Sequence, residues 1–199
     1  MEIVAVPIKP FGLAKARLAE VFTDQQRSDL GRATAAHTIG VISNFAGLAW
    51  VVTGDEEVAD WATEIGASVI LEHSPGKGLN AAADRVVEVA DDARWLIVHA
   101  DLPLLTEHDI ERAWNGIPGE GFLLAPSHDG GTSAFGGNLR PPSFAYGAGS
   151  FHRHLAHTRR SPVRVIARLG FLQDLDSPSD YRTAVAHPRG SWLAGEATR

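Results

Sequence analysis

The sequence predicts an α/β fold, a three-layer α/β/α sandwich with a mostly parallel central sheet of Rossmann-like type. Two patterns predict it. Short runs such as IVAV at 3–6 and WLIVH at 95–99 are almost wholly apolar, as strands buried on both faces are, and such strands belong to parallel sheets. Between them lie stretches with apolar residues at helical spacing, and strict alternation of strand and helix in the first half of the chain implies helices on both faces of one sheet.

The opening strand, 3–6, stops at Pro7 and gives way to a loop, 7–18, that carries Lys9, Lys15 and Arg17. Residues 23–45 read as a helix: Thr23 or Asp24 can cap it, and Leu30, Ala33, Thr34, His37, Ile39, Val41 and Ile42 recur at roughly helical spacing. A second strand, 48–53, ends in Gly54-Asp55. A short helix, 56–65, closes at Gly66, and a third strand spans 67–71. After His73 the chain breaks into SPGKGLN before an alanine-rich helix, 81–93, with Val86, Val87 and Val89 on its apolar side. A glycine-containing loop opening onto a helix N-terminus offers unpaired N–H groups to an anion, although glycine serves ordinary turns equally well. The fourth strand, 95–99, runs into Ala100-Asp101-Leu102-Pro103, and Thr106 caps a helix over 107–114. A fifth strand at 122–126 is followed by a turn at 127–131, a short strand at 132–135 and a loop rich in glycine and proline at 136–142. Residues 144–149 deliver Ser150 onto a helix, a late strand covers 163–166, and Ser177-Pro178 marks a helix start just after Asp174 and Asp176. A single domain over 1–186 is expected, with 187–199 as a tail free to move.

The chain of 199 residues has material for one such domain with a full core. Its formal charge of −6, without a long basic cluster, argues against non-specific nucleic-acid binding and points to a small partner. With no cysteine, disulfides, thiolate metal sites and cysteine nucleophiles are excluded, so any metal must take oxygen or imidazole ligands. No apolar stretch reaches the ~20 residues of a spanning helix, and the Met1-Glu2 start lacks the basic region of a signal peptide, so a cytoplasmic protein away from membranes is expected.

In open α/β sheets the ligand lies outside the carboxyl ends of the strands, which makes Lys9, Lys15 and Arg17 candidates for gripping an anion, phosphate above all. Charged loop residues are most often simply solvated, and neither G-x-x-x-x-G-K-[ST] nor G-x-G-x-x-G follows the strand, which counts against Walker-type and dinucleotide-binding readings. Asp101, at the end of a central strand and before a proline, suits a hard dication such as Mg2+, which takes one or two carboxylates and completes its shell with phosphate oxygens and water. Among the nine histidines, His152, His154 and His157 form no metal-binding spacing and read as ordinary packing or surface residues, with His154 set apart by its place beside Ser150. Gly147 and Gly149 allow close backbone approach at the start of that helix.

With these stretches in view, the chain resembles the guanylyltransferases of coenzyme F420 biosynthesis, the CofC or FbiD family, within the nucleotidyltransferases of GT-A-like fold. Five segments carry the resemblance: P-I-K-P with A-K-A-R-L between Pro7 and Leu18, G-L-N-A-A from Gly78, A-D-L-P-L-L from Ala100, D-G-G-T-S-A-F from Asp129 with G-A-G-S-F-H-R-H from Gly147, and D-L-D-S-P-S-D from Asp174. It implies that Pro7, Lys9, Lys15 and Arg17 hold a nucleoside triphosphate, and that Gly78 and Asn80 belong to the guanosine pocket. Asp101 then matches a metal-binding aspartate, Asp174 or Asp176 the second carboxylate, and Thr132, Gly147 and Ser150 the positions that hold a three-carbon phosphorylated acid. Phe135 departs from the smaller aliphatic residue more common in that family.

The implied reaction joins GTP to phosphoenolpyruvate or 2-phospho-L-lactate with release of pyrophosphate, using Mg2+ and, as catalytic groups, Asp101, Lys15 and Arg17. 3-Phospho-D-glycerate stays open as acceptor. The competing readings are a molybdopterin guanylyltransferase, whose glycine run the first loop lacks, and a catalytically silent nucleotide-binding regulator. A homodimer is open through Trp114 or Trp192.

Overall fold

Seven strands form one sheet, and only one of them is reversed. In the computed structural model, which describes residues 1–13, 15–47, 49–73, 76–141 and 143–196, β1 (Ile3–Pro7), β2 (Trp50–Thr53), β3 (Ser68–Leu71) and β4 (Trp95–Val98) run parallel. Strand β6 (Thr132–Gly137) lies antiparallel between β4 and β5 (Phe122–Pro126), and β7 (Val163–Val165) pairs parallel with β5. The order is β3-β2-β1-β4-β6-β5-β7. Because β6 alone is reversed, its first residue, Thr132, reaches the sheet edge at which the other strands end.

The doubly apolar runs put successive side chains into two separate cores, which is why they do not alternate with polar residues. Val4, Val6, Val51, Leu96 and Val98 face α1 (Asp24–Ala46), α2 (Glu56–Glu64) and α4 (Glu107–Gly116), which contribute Ile39, Val58 and Ile110. Ile3, Ala5, Val52, Trp95 and Ile97 face α3 (Leu79–Ala90), with α5 (Ser150–Thr158) covering the same side further along. Capping boxes on Thr23 and Thr106 fix the starts of α1 and α4 where Ser/Thr side chains can satisfy the free N–H groups. The expected α/β/α sandwich is the one formed. Among the described residues no helix is long and apolar enough to cross a membrane.

Several local expectations differ. Helix α3 starts at Leu79, two residues before the expected Ala81, because Gly78 takes φ +83° and turns the chain into the helix early. Gly136 and Gly137, expected in a loop, belong to β6. A Cβ at Gly136 would lie 2.9 Å from Ile117 Cδ1, and one at Gly137 2.8 Å from Phe122 Cδ1, so these glycines let the strand pass under large side chains. A helical turn at Leu169–Leu172, α6, was not expected, and it buries Phe171.

The segment after 186, read from composition as a mobile tail, carries a 3-10 turn at Pro188–Gly190 and a last turn, α8 (Leu193–Glu196). Leu193 is fully buried with Leu18, Leu30, Leu104 and Leu175, a third core that also takes Ala184 of α7 (Pro178–Ala186). Leu193 and Trp192 anchor the segment, contacts that composition does not reveal. Trp192 donates to the Pro103 carbonyl and Trp114 packs on the first core, so neither is the exposed contact residue expected. Parts of four expected features, Ala14 in the first loop, Leu48 in the second strand, Ser74-Pro75 in the SPGKGLN loop and Pro142 in the glycine- and proline-rich loop, lie outside the described residues, as do 197–199 of the tail.

Candidate active site

The carboxyl ends of β1, β2, β3 and β4 open on a cleft of about 640 Å³ whose walls include Lys9, Lys15, Asp55, Gly78, Asp101 and Asp176. That volume is typical of small-molecule sites. Thr132 and Ser150 lie on the neighbouring stretch of the same sheet edge.

The loop after β1 is held by Ile8, whose N–H donates to the Val52 carbonyl at 2.9 Å, and then winds through two 3-10 turns, Phe11–Leu13 and Ala16–Leu18. Between them Lys15 adopts φ +56°, an uncommon and costly backbone for a side chain other than glycine. Its ammonium is consequently turned inward: Nζ lies 2.8 Å from Asp101 Oδ2 and 3.8 Å from Asp176 Oδ1. Arg17 stands outside, with its guanidinium 3.8 Å from Asp176 Oδ2 and three-quarters of its side chain in solvent (75 %). Lys9 is exposed on the cleft wall.

Asp101 lies three residues past the end of β4, and its carbonyl accepts from Leu175 N–H at 3.0 Å. This one backbone bond brings the acidic stretch 174–176 to the cleft. Burial pushes the Asp101 carboxyl up, but Lys15 and His99 more than offset it and hold the group below the usual aspartate value. Its Oδ1 is shielded from water and has no hydrogen-bond partner among the described residues. Asp174 faces the other way, with Oδ1 3.1 Å from His128 Nδ1. Burial first, then the charges of Asp101, Asp129 and Asp176, raises Asp174 to about 7, with His128 opposing. His128 also lies 3.3 Å from Asp180 Oδ1, while Asp180 Oδ2 accepts from Ser177 N–H at 2.7 Å and so caps α7. Of the two candidate partners for Asp101, Asp176 lines the cleft and Asp174 backs it.

Among the described residues no three acidic or imidazole side chains are grouped closely enough to hold a metal by themselves. A shielded, unpartnered carboxylate oxygen on Asp101, with the Asp176 carboxylate across the same ammonium, nevertheless fits a hard dication that draws only one or two ligands from protein.

The acceptor-side residues form a connected network. The Ala145 N–H donates to His154 Nε2 at 2.9 Å, and since an amide can only donate, the ring hydrogen sits on Nδ1. Nδ1 therefore donates to Thr132 Oγ1 at 2.9 Å, and Ser150 Oγ donates to the same oxygen at 3.2 Å. Both lone pairs of that oxygen are used, and since Thr132 and Ser150 are themselves buried the network fixes the acceptor-side turn from within. Gly147 takes φ +115°, and its carbonyl accepts from Ser150 N–H at 3.0 Å, closing the turn in front of α5. Arg153 braces this turn through the Ala145 carbonyl at 2.8 Å. Asn80 does not face the cleft: its Oδ1 accepts from Tyr146 N–H at 2.8 Å and ties α3 to the acceptor-side loop. Phe135 is fully buried, with its ring 4.8 Å from that of His154, so the departure at this position supports the network from behind and leaves the ligand surface unchanged.

Two residues went unnoticed in the sequence. His99 is shielded, and among the described residues neither its Nε2 nor the hydroxyl of Tyr146, whose ring lies 5.4 Å away, has a hydrogen-bond partner. The available signal was a histidine closing an apolar strand two residues before Asp101. His128, read as ordinary, bridges Asp174 and Asp180.

Burial holds His154 neutral, with its pKa lowered from 6.5 to about 4. The unfolded chain therefore binds a proton between those values and the folded chain does not, so the stability is complete above pH 6.5 and lost as pH falls towards 4. The expected loss over that window is about 3 kcal/mol. Urea denaturation of the wild type and of His154→Gln between pH 7 and 4 isolates it as the difference between the two slopes, since the contributions of His37, His99 and Asp174 are common to both.

Residues 1–192 match the family described as guanylyl transferase CofC like. A phosphoenolpyruvate guanylyltransferase from Sphaerobacter thermophilus is 34% identical over 195 residues, which cover 93% of this chain and 93% of that one. A 2-phospho-L-lactate guanylyltransferase from Methanopyrus kandleri is 32% identical over 181 residues, covering 88% and 86%. Among solved structures, a nucleotidyl transferase from Methanothermobacter thermautotrophicus shares the fold, with a TM-score of 0.65 at 15% identity over 98% of both chains.

Proposed function

Because this chain belongs to the family of CofC-like guanylyl transferases, we propose that it couples GTP to a three-carbon phosphorylated acid, phosphoenolpyruvate or 2-phospho-L-lactate, in coenzyme F420 biosynthesis. An oxygen of the acceptor phosphate attacks the α-phosphorus of GTP, the bond from that phosphorus to the bridging α–β oxygen breaks, and pyrophosphate leaves. The acceptor phosphate has a second pKa near ~6 and is already ionised at neutral pH, so the reaction calls for no general base. The one hydroxyl–histidine contact among the described residues of the site, Thr132 with His154, has the ring nitrogen as donor and so does not activate a nucleophile. On this reading the enzyme would work in the cytoplasm, where its nucleotide substrate is available.

The observation that carries the reading is the meeting of Lys15 with Asp101 and Asp176, from three distant stretches, beside the Thr132–Ser150 network. Lys9, Lys15 and Arg17 would hold the β- and γ-phosphates and the leaving pyrophosphate. Asp101 and Asp176 would hold Mg2+, which when bound supplies charge neutralisation at the phosphates. Thr132 and Ser150, with the backbone at Gly147, would orient the acceptor acid so that its phosphate lies in line with the breaking bond. Catalysis on this account is positioning and electrostatics.

The test is pyrophosphate release from GTP with each acceptor, with and without Mg2+. Release that depends on GTP, on one of these acids and on Mg2+ is expected, and the preferred acid names the acceptor. A chain that releases pyrophosphate with neither acid is not this enzyme.

A further inference from the structure

A cleft that accepts a polyanionic triphosphate tolerates a carboxylate only where that carboxylate meets a cation or hydrogen-bond donors. Asp101 and Asp176 meet the ammonium of Lys15. Asp55 is occupied as the cap of α2, its Oδ1 accepting from Val58 N–H at 3.0 Å. The remaining acid on the cleft wall is Glu72, which has neither an ammonium nor a capping role.

Glu72 follows β3 immediately, and its N–H donates to the Thr53 carbonyl at 3.0 Å, so the β2–β3 pairing continues through it and fixes its backbone at the end of the edge strand. Its Oε2 is shielded from solvent without a hydrogen-bond partner among the described residues, and burial pushes its carboxyl up. Two basic side chains nearby in the fold are engaged elsewhere: His73 and Arg85 both contact Glu88, at 3.5 and 3.3 Å. Glu72 and Asp101 stand three strands apart along the sheet edge, ~14 Å at the usual strand spacing. Between them the wall is apolar or small at Pro7, Ile8, Gly78, Leu79 and Ala82, a surface suited to a flat ring and a sugar. The phosphates belong with the cations at the Asp101 end, so the base lies at the Glu72 end.

We propose that Glu72 reads the nucleotide base, accepting from N1–H and the exocyclic N2 amino group of guanine. Two adjacent carboxylate oxygens match two adjacent donors, and among the common bases only guanine offers a ring N–H beside an amino group on its pairing edge. Adenine would set the lone pair of its N1 against the carboxylate, and hypoxanthine keeps the ring N–H but lacks the amino group. The assignment rests on the reading that this cleft binds a guanine nucleotide, and it adds the residue that makes the choice. A site that leaves a half-buried charged acceptor unpaired with the wrong base discriminates against that base.

The experiment titrates the wild type, Glu72→Gln and Glu72→Ala with GTP, ITP and ATP in the presence of Mg2+ by calorimetry, and follows pyrophosphate release with the acceptor acid. The wild type should bind GTP ~10-fold more tightly than ITP and at least ~100-fold more tightly than ATP. Glu72→Gln, the same shape with a donor in place of one acceptor oxygen, should lose ~10–100-fold for GTP and nothing for ATP, so that the preference collapses. Glu72→Ala should lose the preference without gaining ATP affinity. Near-ultraviolet circular dichroism checks that both variants are folded. Equal wild-type affinity for GTP and ITP, or folded variants that keep the wild-type GTP-over-ATP ratio, overturns the role of Glu72 while guanylyl transfer stands. A wild type that shows the base preference in binding yet releases no pyrophosphate with any acceptor supports Glu72 and sinks the transfer reaction instead.

Discussion

Asp101→Asn is expected to reduce acceptor-dependent pyrophosphate release by at least ~10³-fold, a loss of several kcal/mol of charge stabilisation, while the protein stays folded. The substitution preserves shape, and an amide oxygen still accepts from the Lys15 ammonium that now lies 2.8 Å from Oδ2. What goes is the negative charge and, at the unpartnered Oδ1, one of the two acceptor positions. GTP binding measured with and without Mg2+ separates the causes: the wild type should bind more tightly with the ion, and the variant should show little difference. Asp176→Asn should cost less, since nearly half of that side chain (45 %) meets solvent and Asp101 remains. An Asp101→Asn protein with Mg2+-dependent turnover like that of the wild type would remove the carboxylate from the chemistry.

The parts of this fold that were legible in the sequence are those fixed by local pattern. Val4, Val6, Val51 and Leu96 sit in runs without polar alternation because both faces of their strands are covered, and that requirement is visible residue by residue. Lys9, Lys15 and Asp101 were legible for a related reason: a parallel sheet gathers its carboxyl ends, so a charge placed just after a buried strand is brought to a shared edge whatever the loop does. What stayed hidden depends on long-range geometry. Whether Asp174 or Asp176 faces the cleft is decided by the backbone bond from Leu175 to Asp101, which has no sequence signature. Asn80 looks like a pocket residue in G-L-N, and its Oδ1 is taken by Tyr146 N–H 66 residues away, a contact with no local signature. His154 and His99 look like surface residues by type, yet the first is buried against Ala145 N–H and the second is shielded beneath Tyr146.

The same long-range convergence makes Lys15 both a structural and a functional residue, and Lys15→Met separates the two roles. The side chain is 6 % exposed, pairs with a carboxylate 86 residues away and brings its ammonium to 2.8 Å from Asp101 and 3.8 Å from Asp176. Methionine keeps the length and, being neither glycine nor β-branched, keeps much the same backbone cost at φ +56°, so the comparison isolates the charge. Turnover with GTP should fall ~10²–10³-fold, the usual loss when one preorganised positive group is removed from a transferring phosphoryl site. Stability should fall by about 2 kcal/mol, less than a fully buried pair loses, because Asp101 is partly solvated and its charge is not wholly stranded.

Two further measurements bear on the cause. Millimolar Mg2+ should restore part of the lost stability, since a dication can replace the missing ammonium between the carboxylates. The double variant Lys15→Met/Asp101→Asn should be more stable than Lys15→Met alone, because the second change removes the stranded charge, with a coupling energy of ~0.5–3 kcal/mol and no recovery of activity. If the two losses of stability simply add, Lys15 and Asp101 do not act as a pair in solution, and the juncture on which the cleft is built has another origin.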